Sequence, residues 1–146
     1  MEPIFSLAPN TEEHEVIETF KKHLKSYGAL FIGQGNVTEA FKHYCKEYTG
    51  YYCIRRISLD IQVFDLDMEI KGTLDAAKDY VSHGGHSWGA RDVRIIRRGN
   101  DEVILQYMMV DTWSDKEELA CAMETWVKNS TGEWRLLRQM VEQLGK

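Results

Sequence analysis

Cysteine is scarce in this chain of 146 residues: Cys45, Cys53 and Cys121 are the only three, at spacings that match no metal motif. An odd number leaves one thiol over under any pairing, which speaks against a disulfide framework and for buried thiols in a reducing cytoplasm. No apolar run approaches the ~20 residues of a membrane-spanning helix. The opening residues, MEPIFSLAPN, lack the basic, apolar and small-residue segments of a secretory leader. Basic charge is short as well. Eighteen Lys and Arg against 23 Asp and Glu give a formal charge of -5, which opposes attraction to a phosphate backbone. Neither nucleic acid nor membrane is an expected partner, and with no break in composition the reading is one domain, 1–146.

What is present is periodicity. Val16, Ile17, Phe20, Leu24 and Tyr27 return to one face at steps of three and four, predicting an amphipathic helix, with Asn10 and Glu13 as its capping box. Asn36 and Glu39 offer a second cap, and Val37, Phe41, Tyr44, Cys45 and Tyr48 read as the stripe of a second helix ending at Thr49-Gly50. From Arg56 the period becomes two, through Leu59, Ile61 and Val63, as in a half-buried strand. Asp65-Leu66-Asp67 reads as a turn, 68–71 as a short return strand, and Thr73 as the cap of a third helix buried through Leu74, Ala77, Tyr80 and Val81.

Strands follow: RDVRIIRR, a turn at Gly99-Asn100-Asp101, then EVILQYMMVDTW. Residues 119–128 satisfy either a helix capped by Ser114 or a strand. The strand is preferred because a hairpin closed by Asn129-Ser-Thr-Gly132 supplies cross-strand partners for Trp134, Leu136 and Val141. Three helices, a short hairpin before the third, and four consecutive antiparallel strands predict an α+β fold, a curved antiparallel sheet wrapped around its helices.

The segments IQVFDLDMEIKGTLDAAKDYV, DVRIIRRGNDEVILQYMMV and ETWVKNSTGEWRLL, in this order and over nearly the whole chain, resemble the nuclear-transport-factor-2-like superfamily. That resemblance implies a cone-shaped fold shared by steroid isomerases, polyketide cyclases of the SnoaL type and the association domain of calcium/calmodulin-dependent kinase. Fold alone does not choose among them. Where the superfamily often has histidines on its last strand, this chain reads Arg138-Gln139-Met140.

Aligned with the steroid isomerases, Asp65 falls at the general-base position and Glu124 at the acid position, with Trp126 two residues on, while Tyr27 falls near the tyrosine that binds the developing oxyanion. A carboxylic acid in an apolar cavity has its pKa raised and can donate, whereas a more exposed carboxylate accepts. Asp111 and Arg138 each interrupt an apolar run and could bind a polar ligand group or pair with each other. Met140, with Trp126, is a candidate for the apolar lining. His83 and His86 are separated only by two glycines, with no carboxylate or cysteine beside them, so no metal site is expected, and no cofactor is implied. The expected function is binding, and conversion by isomerase, dehydratase or cyclase chemistry, of a small apolar molecule. The alternative is a non-catalytic oligomerisation or partner-binding module. Both faces of VILQYMMVDTW are largely apolar, which predicts a homodimer through the sheet.

Overall fold

The computed structural model describes residues 6–8, 14–53, 60–85, 87–113 and 116–144. Helix α1, Glu15–Leu30, presents the predicted apolar stripe and buries Val16, Ile17, Phe20 and Leu24 completely. His14 is its cap, the ring Nδ1 accepting the Val16 N–H at 3.3 Å; the capping box read at Asn10 and Glu13 lies outside the described residues. The helix is left through Gly33, whose φ of 77° suits glycine. Asn36 then caps α2, Val37–Phe41, as expected, accepting from the Glu39 N–H at 2.9 Å.

Beyond Phe41 the second helix does not continue. Strand β1, Tyr44–Cys53, replaces it. Tyr44 and Tyr48 lie four apart, a spacing that suits one helical turn and equally two strand repeats, and both are buried here by alternation. Strand β2, Gln62–Asp65, pairs antiparallel with β1 and passes directly into α3, Leu66–Ser82. The turn at 65–67, the return strand at 68–71 and the cap at Thr73 are therefore corrected: Asp65 is the cap, accepting the Met68 N–H at 2.9 Å, and Thr73 is mid-helix. Gly72 lies inside the helix, where a Cβ would come 3.4 Å from the Phe64 ring. The strand expected from Arg56 has its first residues outside the described set.

Strands β3, Ser87–Arg97, β4, Glu102–Trp113, β5, Lys116–Lys128, and β6, Trp134–Gln143, are the four antiparallel strands predicted, and 119–128 is strand throughout. Asn129 organises the last hairpin: its Oδ1 accepts from Thr131 N–H and hydroxyl and from Glu133 N–H, while Gly132 adopts φ 84°. The six strands form one sheet in the order β2-β1-β6-β5-β4-β3, parallel only between β1 and β6.

The concave face holds the core. Along β4 it presents Val103, Leu105, Tyr107, Met109 and Asp111, and along β5 Ala120, Ala122, Glu124 and Trp126, against the buried stripe of α1. Trp134, on the far side of the hairpin from Trp126, donates its Nε1–H to Glu15 at 3.0 Å and packs edge-on against His14, tying the start of β6 to the start of α1.

Candidate functional site

Inside the cone two buried carboxyls are each held by aromatic hydroxyls. Glu124 is 1% exposed on the concave face of β5. Its Oε2 accepts from the Tyr107 hydroxyl at 2.6 Å and its Oε1 from Trp126 Nε1 at 2.9 Å. Burial pushes its pKa up to about 7 against the lowering effect of both donors. Trp126 and Glu124 share a face because they are two apart on a strand.

The second carboxyl is Glu69, 5% exposed in the first turns of α3. Tyr48 donates to its Oε1 at 2.5 Å, Tyr52 donates to the same oxygen, and Thr73 donates to Oε2 at 3.3 Å. Thr73 has one hydroxyl proton. With it directed at Glu69, the Tyr27 hydroxyl, 3.2 Å from Thr73 Oγ1, must be the donor in their contact, so a relay runs from Tyr27 through Thr73 to Glu69. The Gln139 side-chain amide lies 3.2 Å from the Tyr48 hydroxyl and joins β6 to the group. Gly50 makes the convergence possible: a Cβ there would stand 2.6 Å from the Tyr48 oxygen and 3.1 Å from Glu69 Oε1.

Tyr27, Tyr52 and Asp111 lie beside these groups, and burial raises the pKa of each, Asp111 to about 7, although none of the three is fully covered. Partly accessible Met109 and Ala120 share the concave face with Asp111. Tyr27 stands 4.7 Å from the Trp88 ring, 5.4 Å from Phe31 and 6.1 Å from Phe41, an aromatic cluster beside the polar groups.

Of the residues singled out in the sequence, Tyr27, Asp111, Glu124 and Trp126 are brought to this interior. Asp65 is not: it is exposed, paired with Thr49 on the β1 face opposite Tyr48 and Gly50, and its carboxylate caps α3. Arg138 is exposed opposite Thr125, and Met140 is 53% exposed opposite Met123, both on the convex face, so Arg138 and Asp111 lie on opposite sides of the sheet. His83 sits on the exposed exit of α3, with its ring nitrogen 2.8 Å from the Asp79 carbonyl oxygen; His86 lies outside the described residues. Among the described residues no three potential metal ligands are grouped.

Glu69, Tyr48, Tyr52 and Thr73 were missed. The signal was there: Glu69, Thr73 and Ala77 recur every four residues and form the buried face of α3, a pattern visible only once Gly72 is allowed inside the helix.

The chain matches no protein-family model and no curated protein. Solved structures do match it. A nuclear-transport-factor-2-like protein of unknown function from Pseudomonas aeruginosa superimposes with a TM-score of 0.69 at 7% identity, over 89% of this chain and 98% of that one. The CaMKII hub of S. rosetta gives 0.65 at 14%, over 88% and 94%. A protein assigned to the ketosteroid isomerases in Parabacteroides distasonis gives 0.59 at 10%, over 94% and 93%. At such identities the common property is the fold.

Two predictions follow from these placements. Asp65→Asn keeps the helix cap and leaves stability within a few tenths of a kcal/mol, whereas Asp65→Ala lowers it by about 1 kcal/mol in urea unfolding; equal losses from both would show that the charge matters rather than the cap. The second concerns pH. The folded pKa of Glu124 lies above its ordinary 4.5, so its contribution favours folding at low pH and is lost as pH rises from about 4.5 to about 7. At about 1.4 kcal/mol per pH unit this is about 3 kcal/mol. Between pH 5 and pH 8 the melting temperature of Glu124→Gln should decline less, or rise more, than that of wild type, with Asp111 acting in the direction of Glu124 and the buried neutral His23 and His43 in the opposite one in both proteins; parallel profiles would contradict the assignment.

Proposed function

We propose that this protein, which has the nuclear-transport-factor-2-like fold, binds a small, largely apolar molecule in the recess of its cone and is equipped to move a proton on it. The observation that carries the reading is the partial accessibility of Tyr27, Tyr52 and Asp111 within a densely packed interior, beside a carboxylate held by three hydroxyls. Aromatic walls with a few convergent polar groups are the usual make-up of a ligand site. In this reading Glu69 takes the proton-accepting role that alignment gave to Asp65, Glu124 is the acid poised near neutrality, and Tyr27 reaches Glu69 through Thr73. Trp126 fixes Glu124, and Asp111 marks the partly open side.

A second reading, self-association, is favoured by the convex face of the sheet. Met123 and Met140 are direct cross-strand partners, 38% and 53% exposed, beside partly exposed Leu119, Cys121 and Met108. A hub is among the structures that share the fold. The two readings use opposite faces and are compatible: a homodimer through the convex face leaves the recess free.

Calorimetric titration with 2-naphthol, an apolar ring system with one hydroxyl, tests the first reading. Wild-type protein should bind it saturably with a Kd on the order of 100 µM, and Met109→Trp, which fills the recess, should abolish the binding. No saturable heat with wild-type, or an unaffected Met109→Trp variant, would move the site elsewhere. Light scattering tests the second: Met123→Lys should yield monomers from dimers, and an unchanged mass would count against a sheet-mediated dimer.

A further inference from the structure

The hydrogen-bond directions inside the recess specify the kind of ligand, an inference that rests on the recess being a binding site. Four hydroxyl protons point at carboxylates, those of Tyr48, Tyr52 and Thr73 at Glu69 and that of Tyr107 at Glu124, and the Tyr27 hydroxyl is bonded to Thr73. The Trp126 N–H is likewise committed to Glu124. The hydroxyls nearest Glu69 are therefore committed, while the Glu69 carboxylate and the phenol oxygens keep lone pairs to offer.

His23 points the same way independently. It is 2% exposed, its ring bounded by Tyr27, Tyr44 and Trp126 at 5.6, 5.4 and 5.9 Å between centroids. Burial, with the neighbouring His43, lowers its pKa to about 3, so the imidazole is neutral. A bond to the Ala40 backbone raises the pKa, as donation to the carbonyl does, and Nδ1 has no partner. The proton therefore sits on Nε2, and the Nδ1 lone pair is one more acceptor within the aromatic chamber.

Charge agrees with the hydrogen bonds. Neither Glu69 nor Glu124 has a lysine or arginine partner among the described residues. The dominant charged neighbours of Tyr27 are Glu69, Asp111 and Glu124, and those of Tyr44 are Glu69 and Glu124. An anion brought beside Glu69 would meet repulsion and hydroxyls already committed to that carboxylate. A cation would meet carboxylates and the faces of Tyr27, Tyr52 and Trp88, a combination that offsets the desolvation of an ammonium group.

We propose that the ligand is an organic amine in its ammonium form, its N–H groups directed at Glu69 and its carbon frame against the aromatic walls. The test is a calorimetric comparison of three probes of similar shape and opposite charge character: 2-phenylethylamine, 2-phenylethanol and 3-phenylpropionate. Wild-type protein should bind the amine at least tenfold more tightly than the alcohol, and the acid not at all. In Glu69→Gln, checked for folding by circular dichroism, the preference of amine over alcohol should fall to within about twofold, and Glu124→Gln should reduce it by a smaller factor. Should the alcohol bind as well as the amine, or the acid bind at all comparably, the amine assignment is wrong while the recess stands as a site. Should none of the three bind, both the assignment and the binding role are overturned.

Discussion

A carboxylate removed from water must be given hydrogen-bond donors, and the interior of this protein is arranged around meeting that requirement for Glu69. One oxygen takes two phenol hydroxyls from β1 and the other takes a hydroxyl from the next turn of α3. Through Gln139 the group reaches β6, and through Tyr27 it reaches α1. Four separate elements therefore converge on one side chain. Removing a single partner from such a buried group leaves the others unsatisfied, which is why the whole cluster acts as a unit.

The fold supplies the means. The parallel join of β1 to β6 sets Tyr48, Gly50 and Tyr52 beside Gln139, and the direct passage from β2 into α3 swings Glu69 over them. On the other wall, the antiparallel run β3 to β6 places Asp111, Tyr107, Glu124 and Trp126 on the same concave surface at strand spacing. Polar groups are thus introduced into an aromatic core from two directions. The convex face carries no comparable chemistry. It carries exposed Met123 and Met140 at its centre, with Arg138 beside them.

Much of this was legible in the sequence, and the failures have a common cause. The α+β class, the four consecutive strands, the strand character of 119–128 and the Asn129 hairpin were readable because alternation and turn chemistry agreed there. Tyr27, Glu124, Asp111 and Trp126, singled out in the sequence, lie on the inward faces of their elements. The errors of element assignment lie between Phe41 and Thr73, while Arg138 and Met140, expected at the site, stand on the convex face. Tyr44 and Tyr48 lie four residues apart, a spacing close to one helical turn and equal to two strand repeats, and Gly72 sits inside a helix, beside the Phe64 ring. Reading α3 as beginning at Thr73 hid Glu69 in a supposed strand and left Asp65 as the acid in that region. The register of Tyr48 and Tyr52 over α3 is a tertiary fact, set by β1 pairing with a strand some ninety residues later, and no local pattern reports it.

The most direct measurement is a crystal structure of the purified protein at a resolution that shows the contents of the cone. The account predicts open volume bordered by Tyr27, Tyr52 and Asp111, with Glu69 bonded to Tyr48, Tyr52 and Thr73, and any density within it in contact with that carboxylate. A cone packed solid with side chains, or Glu69 turned out to solvent with its three hydroxyls bonded elsewhere, would contradict it.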